Sequence, residues 1–233
     1  MKSLSVIMPA LNEAPNIRAA INNVLEKFRE FGVIGEIILV NDGSTDDTEI
    51  IMREMQKSFP DMIKIIRHET SQGIGASFWD GVKSAKEDVV VMMPGDGEND
   101  SGEIIKYLFL TEYVDIVNPY VVNKRVRSMQ RNILSDIFLK IINITFFMNL
   151  KYTNGTVMYR RESIKMLVHK ETGFFYQVEL LVKSIKHGCL YAEVPYMLRK
   201  RATGESKALT FRSLINIISG YLSLFFDVYF EKS

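Results

Sequence analysis

The sequence predicts an α/β fold with a doubly wound, mostly parallel sheet flanked by helices. Short apolar runs alternate with helix-like segments through the first 93 residues, the pattern of parallel strands joined by helical crossovers. The second run is continuously apolar rather than alternating, as is typical of strands covered on both faces. The length of 233 residues, 47% of them hydrophobic, suits one α/β domain.

The first half of the chain contains four predicted strands and three predicted helices. The strands are expected over residues 4–9, 36–40, 62–67 and 88–93, and the helices over residues 12–31, 46–58 and 73–86. Asn12 is the expected N-cap of the first helix, with Pro15 in its first turn. Ligands of doubly wound sheets bind beyond the carboxyl ends of the strands. The polar residues that follow the strands should therefore line one rim.

Two strongly apolar helices are predicted in the second half, over residues 133–150 and 211–230. Asp136 and Lys140 interrupt the first, and Asp227 lies near the end of the second. Since crossing a bilayer takes about 20 nearly uncharged residues, neither is predicted to span a membrane. Their periodicity alone fits either core helices or amphipathic helices that lie in a membrane interface.

The charges divide unevenly along the chain. Residues 1–120 hold 11 Lys and Arg against 20 Asp and Glu, whereas residues 121–210 hold 16 against 6. This division suits an acidic half that holds a cation and a basic half that meets phosphate, but it also suits two solvated faces. No nucleic-acid partner is expected. The single cysteine, Cys189, and the absence of a secretory signal pattern favour a reducing, cytoplasmic location.

Asp96 and Glu98 form a candidate metal site. They lie two residues apart on a turn that follows a predicted buried strand. Carboxylate oxygens suit Mg²⁺ or Mn²⁺, which usually keep water and a diphosphate as further ligands. A cation held there would act as a Lewis acid on a departing diphosphate.

Four motifs occur in a fixed order in the first hundred residues. They are Pro9 with Asn12 and Glu13, residues 40–46 (VNDGSTD), residues 73–76 (GIGA) and residues 89–96 (VVVMMPGD). In this order they resemble the inverting GT-A glycosyltransferases of family 2. The resemblance implies a GT-A fold, a nucleotide-sugar donor (UDP- or GDP-linked) and Mg²⁺ or Mn²⁺. The implied donor-binding residues are Pro9, Ala10, Asn12, Glu13, Asp42, Gly73, Gly75, Gly95 and Asp96, with Asp96 and Glu98 at the metal.

The second half resembles the polyprenyl-phosphate branch of that family, the dolichol-phosphate mannose synthase type. The matching segments are residues 153–155 (TNG), 176–179 (YQVE), 192–195 (AEVP) and 201–207 (RATGESK). The resemblance implies a dolichyl or undecaprenyl phosphate acceptor and a peripheral location on the cytoplasmic face of the membrane. Three positions depart from the pattern. Pro94 replaces the first Asp of the metal motif, Glu98 stands where Gln is common, and Lys151 stands near a usual acidic residue.

A phosphate acceptor explains the basic residues of the second half. A phosphate monoester is already anionic at pH 7, so it can attack the anomeric carbon without a general base and needs cationic positioning. Arg131, Arg201 and Lys207 are the residues expected to provide it, with Asp96 as the fourth catalytic residue. A lipid acceptor also favours interfacial helices over core helices, because the lipid phosphate lies at the bilayer surface.

Two other functions remain open from the sequence. A family-2 transferase with a hydroxyl acceptor, such as a polysaccharide, would need a catalytic carboxylate in the second half. A nucleotide-sugar-binding protein without transferase activity is conceivable because of Pro94. The sugar, the nucleotide, the oligomeric state and a possible membrane subunit stay open. One domain is expected over residues 1–233, with a donor half (1–120), an acceptor half (121–210) and a C-terminal apolar helix (211–233).

Overall fold

The computed structural model describes residues 3–123, 129–198 and 211–230, and of Arg131 and residues 211–215 the backbone only. The described part contains a seven-stranded sheet. Its strands are β1 (Leu4–Ala10), β2 (Gly35–Asp42), β3 (Ile63–His68), β4 (Val89–Met92), β5 (Ile116–Val121), β6 (Met158–Arg160) and β7 (Tyr191–Tyr196). The four predicted strands of the first half correspond to β1–β4.

The strands are arranged in the order β3-β2-β1-β4-β6-β5-β7. β1–β4 pair in parallel, as do β5 and β7, and only β6 runs antiparallel to its neighbours β4 and β5. Six strands therefore end at one edge of the sheet, and β6 begins there. We call this edge the carboxyl rim. The topology places loops from both halves of the chain along it.

Helices cover both faces of the sheet. They are α1 (Ile17–Phe31), α2 (Thr48–Ser58), α3 (Ile74–Ser84), α4 (Ser101–Ile105), α5 (Met129–Phe146), α6 (Arg161–Lys165), α7 (Tyr176–Lys186) and α8 (Phe211–Tyr229), with a short 3₁₀ helix at Leu108–Glu112. Ile21 and Phe28 of α1 are buried on one face, and Phe78 of α3 and Tyr176 of α7 are buried on the other. This layering is what the continuously apolar strands predict.

The start of α1 differs from the prediction. Asn12 is not the N-cap, and Pro15 precedes the helix, which begins at Ile17 after Asn16. Asn12 has a φ of 57° and lies in the loop after β1. Its side-chain oxygen accepts a hydrogen bond from the backbone N–H of Thr45 instead of capping α1. A residue type that commonly caps helices thus serves a contact between loops.

The apolar helix predicted over 133–150 begins and ends four residues earlier, at Met129 and Phe146. Its end is set by Asn143 and Phe147. Phe147 has a φ of 51°, and the Asn143 side chain bonds both the N–H and the carbonyl of Leu150. The chain therefore turns back at Phe147, although the apolar sequence continues.

Each of the two long apolar helices has an inner and an outer apolar side. Ile142 and Phe146 of α5 pack with Leu224 of α8 and with α7 in one buried cluster. The outer side exposes Met129, Ile133, Leu134, Ile137, Ile141 and Ile144 of α5, and Ile218, Leu222, Phe226 and Tyr229 of α8. Both helices therefore face the core on one side, as one of the two predictions had it, and leave an apolar side exposed on the other. Among the helices that the structure describes, none combines the length and apolarity required to cross a bilayer.

Candidate donor and metal site

The loops after β1 and β2 are joined by hydrogen bonds on the carboxyl rim. Oδ1 of Asn12 accepts from the N–H of Thr45 at 2.8 Å, and the N–H of Asn12 donates to Oγ of Ser44 at 3.0 Å. The N–H of Glu13 donates to Oγ1 of Thr48 at 2.9 Å. Two of the predicted donor motifs therefore form one hydrogen-bonded unit. This unit brings Asn12 and Glu13 close to the end of β2.

Asp42 ends β2 and is buried. One of its oxygens contacts Nδ1 of His68 at 2.7 Å and accepts from the N–H of Gln72 at 2.8 Å. The other accepts from Oγ of Ser71 at 2.7 Å and from the N–H of Gly73 at 3.1 Å. Burial raises the pKa of Asp42, but these four hydrogen bonds outweigh it and leave the pKa below its ordinary value.

These contacts give Asp42 a structural task in addition to the predicted one. Its carboxylate fixes the 71–73 turn, which connects β3 to α3. A buried carboxylate with four donors is a stable anchor for a loop. Direct binding of Asp42 to a nucleoside stays a prediction.

His68 was missed by the sequence analysis. It ends β3 and is buried between two carboxylates, with Nδ1 at 2.7 Å from Asp42 and Nε2 at 3.2 Å from Oδ2 of Asp80. Each ring nitrogen of His68 therefore lies within hydrogen-bond distance of a carboxylate, and the two contacts fix the orientation of the ring. The available signal was its position at the end of a predicted strand, where the rim begins.

Gly73 and Gly75 pack against the second half of the chain. Gly73 has a φ of 99°, and a Cβ there would lie 2.6 Å from the carbonyl oxygen of Thr172. The N–H of Gly75 donates to the same oxygen at 2.7 Å. The glycines therefore permit a close approach between α3 and residues 171–172. Contact of either glycine with a donor phosphate stays a prediction.

Pro9, Ala10 and Gly95 connect the end of β1 to the loop after β4, here called the metal loop because it carries the predicted ligands Asp96 and Glu98. All three are buried, and the N–H of Gly95 donates to the carbonyl of Pro9 at 3.0 Å. A Cβ at Gly95 would lie 2.5 Å from Cδ1 of Ile17 in α1. These residues thus form the base on which the Asp96 turn rests.

Asp96 and Glu98 lie on a half-buried turn after β4, the central strand that pairs with β1. Oδ1 of Asp96 accepts from the N–H of Glu98 at 3.0 Å, and Gly97 between them has a φ of 74°. Beyond the turn, the hydroxyl of Tyr196 donates to Oδ1 of Asn99, which ties the metal loop to the end of β7. The two predicted metal ligands therefore share one turn on the rim.

The donor set fits a cation that a diphosphate helps to hold. Within the described residues, no group of three or more His, Cys, Asp and Glu side chains forms a metal cluster. Mg²⁺ in phosphate-transfer sites needs only one or two protein carboxylates, because phosphate and water complete its shell. Asp96 and Glu98 meet that requirement.

The side chains predicted to bind the acceptor all lie outside the described part of the chain. Arg201 and Lys207 lie beyond the described residues, and so does the side chain of Arg131. The structure does show that β5 and β7 end on the carboxyl rim at Val121 and Tyr196, just before the Lys- and Arg-rich residues 122–131 and 197–210, here called the basic segments.

A carboxylate lies in the second half near Lys151. Oε1 of Glu193, on β7, accepts from the N–H of Lys151 at 2.7 Å and lies 3.4 Å from Nδ2 of Asn118. Burial raises the pKa of Glu193, and its contacts with Lys151 and Asn118 oppose that rise only in part. The AEVP motif marked this residue, but its partners are distant in sequence and could not be predicted.

The sequence of residues 5–168 matches the family described as Glycosyl transferase family 2. The chain belongs to glycosyl transferase family 2. Among curated relatives, the undecaprenyl-phosphate 4-deoxy-4-formamido-L-arabinose transferase of Pectobacterium carotovorum is 27% identical, over 96% of this chain and 67% of its own. The polyprenol monophosphomannose synthase of Mycolicibacterium smegmatis is 26% identical, over 87% of this chain and 79% of its own.

Solved structures similar to this family-2 transferase include glucosyl-3-phosphoglycerate synthase from Mycobacterium tuberculosis. Its complex with Mn²⁺, UDP-glucose and phosphoglyceric acid has a TM-score of 0.71 at 21% identity, covering 96% of this chain and 80% of the other. Its complex with Mg²⁺ and UDP has a TM-score of 0.71 at 20% identity, covering 96% and 79%. The predicted GT-A fold and the predicted enzyme class, glycosyltransferase, are confirmed.

Proposed function

We propose that this family-2 transferase moves a sugar, with inversion, from a nucleotide-sugar to a polyprenyl phosphate at a membrane surface. The observation that carries the proposal is the carboxyl rim. The loops of the first half that are predicted to bind the donor lie on this rim. β5 and β7 also end there, and they lead into the basic segments of the second half. Donor and acceptor phosphates can thus meet at one edge of the sheet.

On the donor side, Asp96 and Glu98 are the residues that would hold Mg²⁺ or Mn²⁺. When bound, the cation supplies Lewis-acid stabilisation of the charge that forms on the departing diphosphate. The hydrogen-bonded unit of Asn12, Glu13 and the loop after β2 would hold the nucleoside next to it. Mn²⁺ and UDP-glucose are bound by the similar synthase from Mycobacterium tuberculosis, which supports this assignment.

On the acceptor side, an oxygen of the lipid phosphate would form the bond to the anomeric carbon. The bond from that carbon to the diphosphate oxygen breaks, and the electron pair leaves with the nucleoside diphosphate. No proton needs to be removed, because the nucleophile is already an anion. Residues 122–131 and 197–210 each contain four Lys and Arg, among them Arg131, Arg201 and Lys207, which would hold the anion. One curated relative is named an undecaprenyl-phosphate sugar transferase and the other a polyprenol monophosphomannose synthase, which supports this choice.

The outer sides of α5 and α8 would place the rim at the bilayer. Both expose large aliphatic or aromatic side chains, such as Ile144 and Phe226, while their inner sides pack on the protein. An amphipathic helix of this kind can lie in a membrane interface, where nearby basic residues meet anionic headgroups.

A transferase with a hydroxyl acceptor is the second candidate. One observation favours it, namely the Glu193 carboxylate, whose pKa is raised by burial as suits a general base. Against this role, one oxygen of Glu193 already binds the N–H of Lys151. The two candidates differ in whether the product partitions with lipid.

The test incubates the protein with undecaprenyl or dolichyl phosphate, Mg²⁺ or Mn²⁺, and a panel of radiolabelled UDP- and GDP-sugars. We expect label in the organic phase with at least one donor, and none when lipid is omitted or EDTA is added. Label transferred only to a water-soluble oligosaccharide would support the hydroxyl acceptor. Normal binding of a nucleotide-sugar without any transfer would overturn both proposals and support a binding protein.

A further inference from the structure

Residues 170–172 lie between the C-terminal helix α8 and the start of α3, where the predicted donor-binding residues Gly73 and Gly75 lie. The carbonyl oxygen of Thr172 accepts from the N–H of Gly75 at 2.7 Å and from that of Ala76 at 3.4 Å. Two residues before Gly75, the N–H of Gly73 donates to the Asp42 carboxylate at 3.1 Å. The start of α3 is therefore held from both sides, by Asp42 on β2 and by Thr172 from the second half.

The backbone before Thr172 is fixed by Glu179 of α7. This carboxylate is only 3% exposed and accepts from the N–H groups of Lys170 and Glu171, each at 3.0 Å. It also accepts from Nζ of Lys183 at 2.7 Å. A buried carboxylate with three donors holds the chain in one place, because breaking such a set is costly.

α8 adds a second attachment to the same residues. Oδ1 of Asp227 lies 2.7 Å from Nζ of Lys170, and Oδ2 lies 2.8 Å from Nζ of Lys183. Gly220 allows close packing, since a Cβ there would lie 3.0 Å from Cδ of Glu171. Asp227 and Lys183 are 8% and 11% exposed, so water screens their ion pair weakly, whereas Lys170 is 40% exposed and its pair with Asp227 is screened more.

We propose that Asp227 is a positioning residue for the donor site, acting through Lys170 and the Thr172 carbonyl on Gly75. The position at which α8 packs then sets the geometry of the 71–73 turn, which the Asp42 carboxylate also holds. The inference rests on the proposed function for the statement that this loop binds a nucleotide. It assigns α8 a task beyond contact with a membrane, namely control of donor affinity.

The experiment compares the wild-type chain with Asp227→Asn, which keeps the shape of the side chain and removes its charge. Asp227→Glu tests rescue, and Ser219→Ala changes an exposed residue of the same helix as a control. Hydrogen exchange followed by mass spectrometry reads the amides of peptide 73–79. Calorimetry with UDP and with GDP, each with Mg²⁺, gives the dissociation constants.

In Asp227→Asn we expect exchange at Gly75 and Ala76 to be about fivefold faster, roughly the effect of one lost hydrogen bond, and nucleotide to bind about fivefold more weakly. Asp227→Glu should recover part of both, and Ser219→Ala should match wild type. Unchanged exchange in peptide 73–79, equal acceleration throughout β1–β4, or faster exchange with unchanged affinity would each overturn the proposal. If the wild type binds neither nucleotide, the proposed function fails, and the exchange result alone decides whether Asp227 positions this loop.

Discussion

Nδ1 of His68 lies 2.7 Å from Oδ1 of Asp42, and this contact joins the ends of β2 and β3 on the carboxyl rim. Both side chains are buried. Replacing His68 with Ala would leave one oxygen of Asp42 with a single donor and open a cavity beside it. We expect the free energy of unfolding to fall by about 2 kcal/mol, measured by urea denaturation.

Asp80 provides the control for this prediction. It contacts the other nitrogen of His68, but its side chain is 33% exposed and can exchange that contact for water. Asp80→Asn should therefore cost less than about 1 kcal/mol. Equal losses in the two variants would contradict the view that Asp42 is the partner that matters.

The acid stability of the protein should depend on Asp42. Burial raises its pKa, but the hydrogen bonds from His68, Gln72, Ser71 and Gly73 outweigh burial and hold the pKa below its unfolded value. A depressed folded pKa contributes stability that is present above the unfolded pKa, about 3.9, and is lost as the pH falls through the folded pKa.

We therefore expect Asp42→Asn to flatten the fall of unfolding free energy below about pH 4, as measured by urea denaturation from pH 7 to pH 2. Asp61→Asn, at an exposed turn before β3, serves as the matched control. A variant with the acid limb of the wild type would show that the Asp42 carboxylate is not stabilised by folding.

The contact between Gly75 and the second half can be tested by adding one methyl group. In Gly75→Ala the new Cβ would lie 2.7 Å from the carbonyl oxygen of Glu171, so the main chain must shift. We expect a loss of about 1–3 kcal/mol in unfolding free energy and weaker nucleotide binding. Gly173→Ala, where a Cβ meets nothing within 4 Å, should stay within about 0.5 kcal/mol of wild type.

The two carboxylates of the metal turn should differ in importance. Asp96→Ala removes the proposed ligand that lies nearer to the end of β4 and should abolish transfer at every Mg²⁺ concentration. Glu98→Gln keeps an oxygen ligand but not its charge, so we expect transfer to recover at a Mg²⁺ concentration about tenfold higher. The measurement is initial transfer rate against Mg²⁺ and Mn²⁺. Full activity of Asp96→Ala would refute the metal assignment.

The outer side of α8 should bind lipid vesicles. Phe226 is 57% exposed, so transfer of the exposed part out of water is favourable by about 1 kcal/mol or slightly more, roughly half of the value for a fully exposed side chain. Phe226→Ser should therefore weaken sedimentation with vesicles of 30% anionic lipid by about fivefold to tenfold. Ser219→Ala, on the same helix, should bind as wild type does. Equal binding by the two variants would show that this face does not meet the membrane.

The first half of the fold could be predicted from sequence because its strands are continuous apolar runs bounded by turn residues. β1–β4 begin and end within two residues of the predicted limits. β6 could not be predicted, because three residues carry no periodicity and its reversed direction depends on β4 and β5. The predicted start of α1 at Asn12 was wrong, because the Asn12 side chain bonds Thr45, 33 positions away, instead of capping the helix.

The candidate site shows the same limit. The Asp96 and Glu98 pair is local, so it could be recognised as a candidate metal site from sequence, although the pair alone fits a solvated turn equally and the four ordered motifs were needed to favour a metal. His68 acquires its importance from Asp42, 26 positions earlier, and Glu193 from Lys151, 42 positions earlier. Such contacts depend on the strand order and cannot be derived from a local pattern. The structure adds them to a motif set that identified the family correctly.

Asn12 bonds both Ser44 and Thr45, so substitutions in the loop after β1 affect the loop after β2. A substitution at Asn12 removes the side-chain oxygen that contacts both the N–H and Oγ1 of Thr45, whereas the backbone N–H can still donate to Ser44. Among homologues, positions 12 and 45 should therefore co-vary. The described residues that follow β5 and β7 bond each other instead, Asn123 with Leu198. We therefore expect the proposed donor side to change less among homologues than the proposed acceptor side.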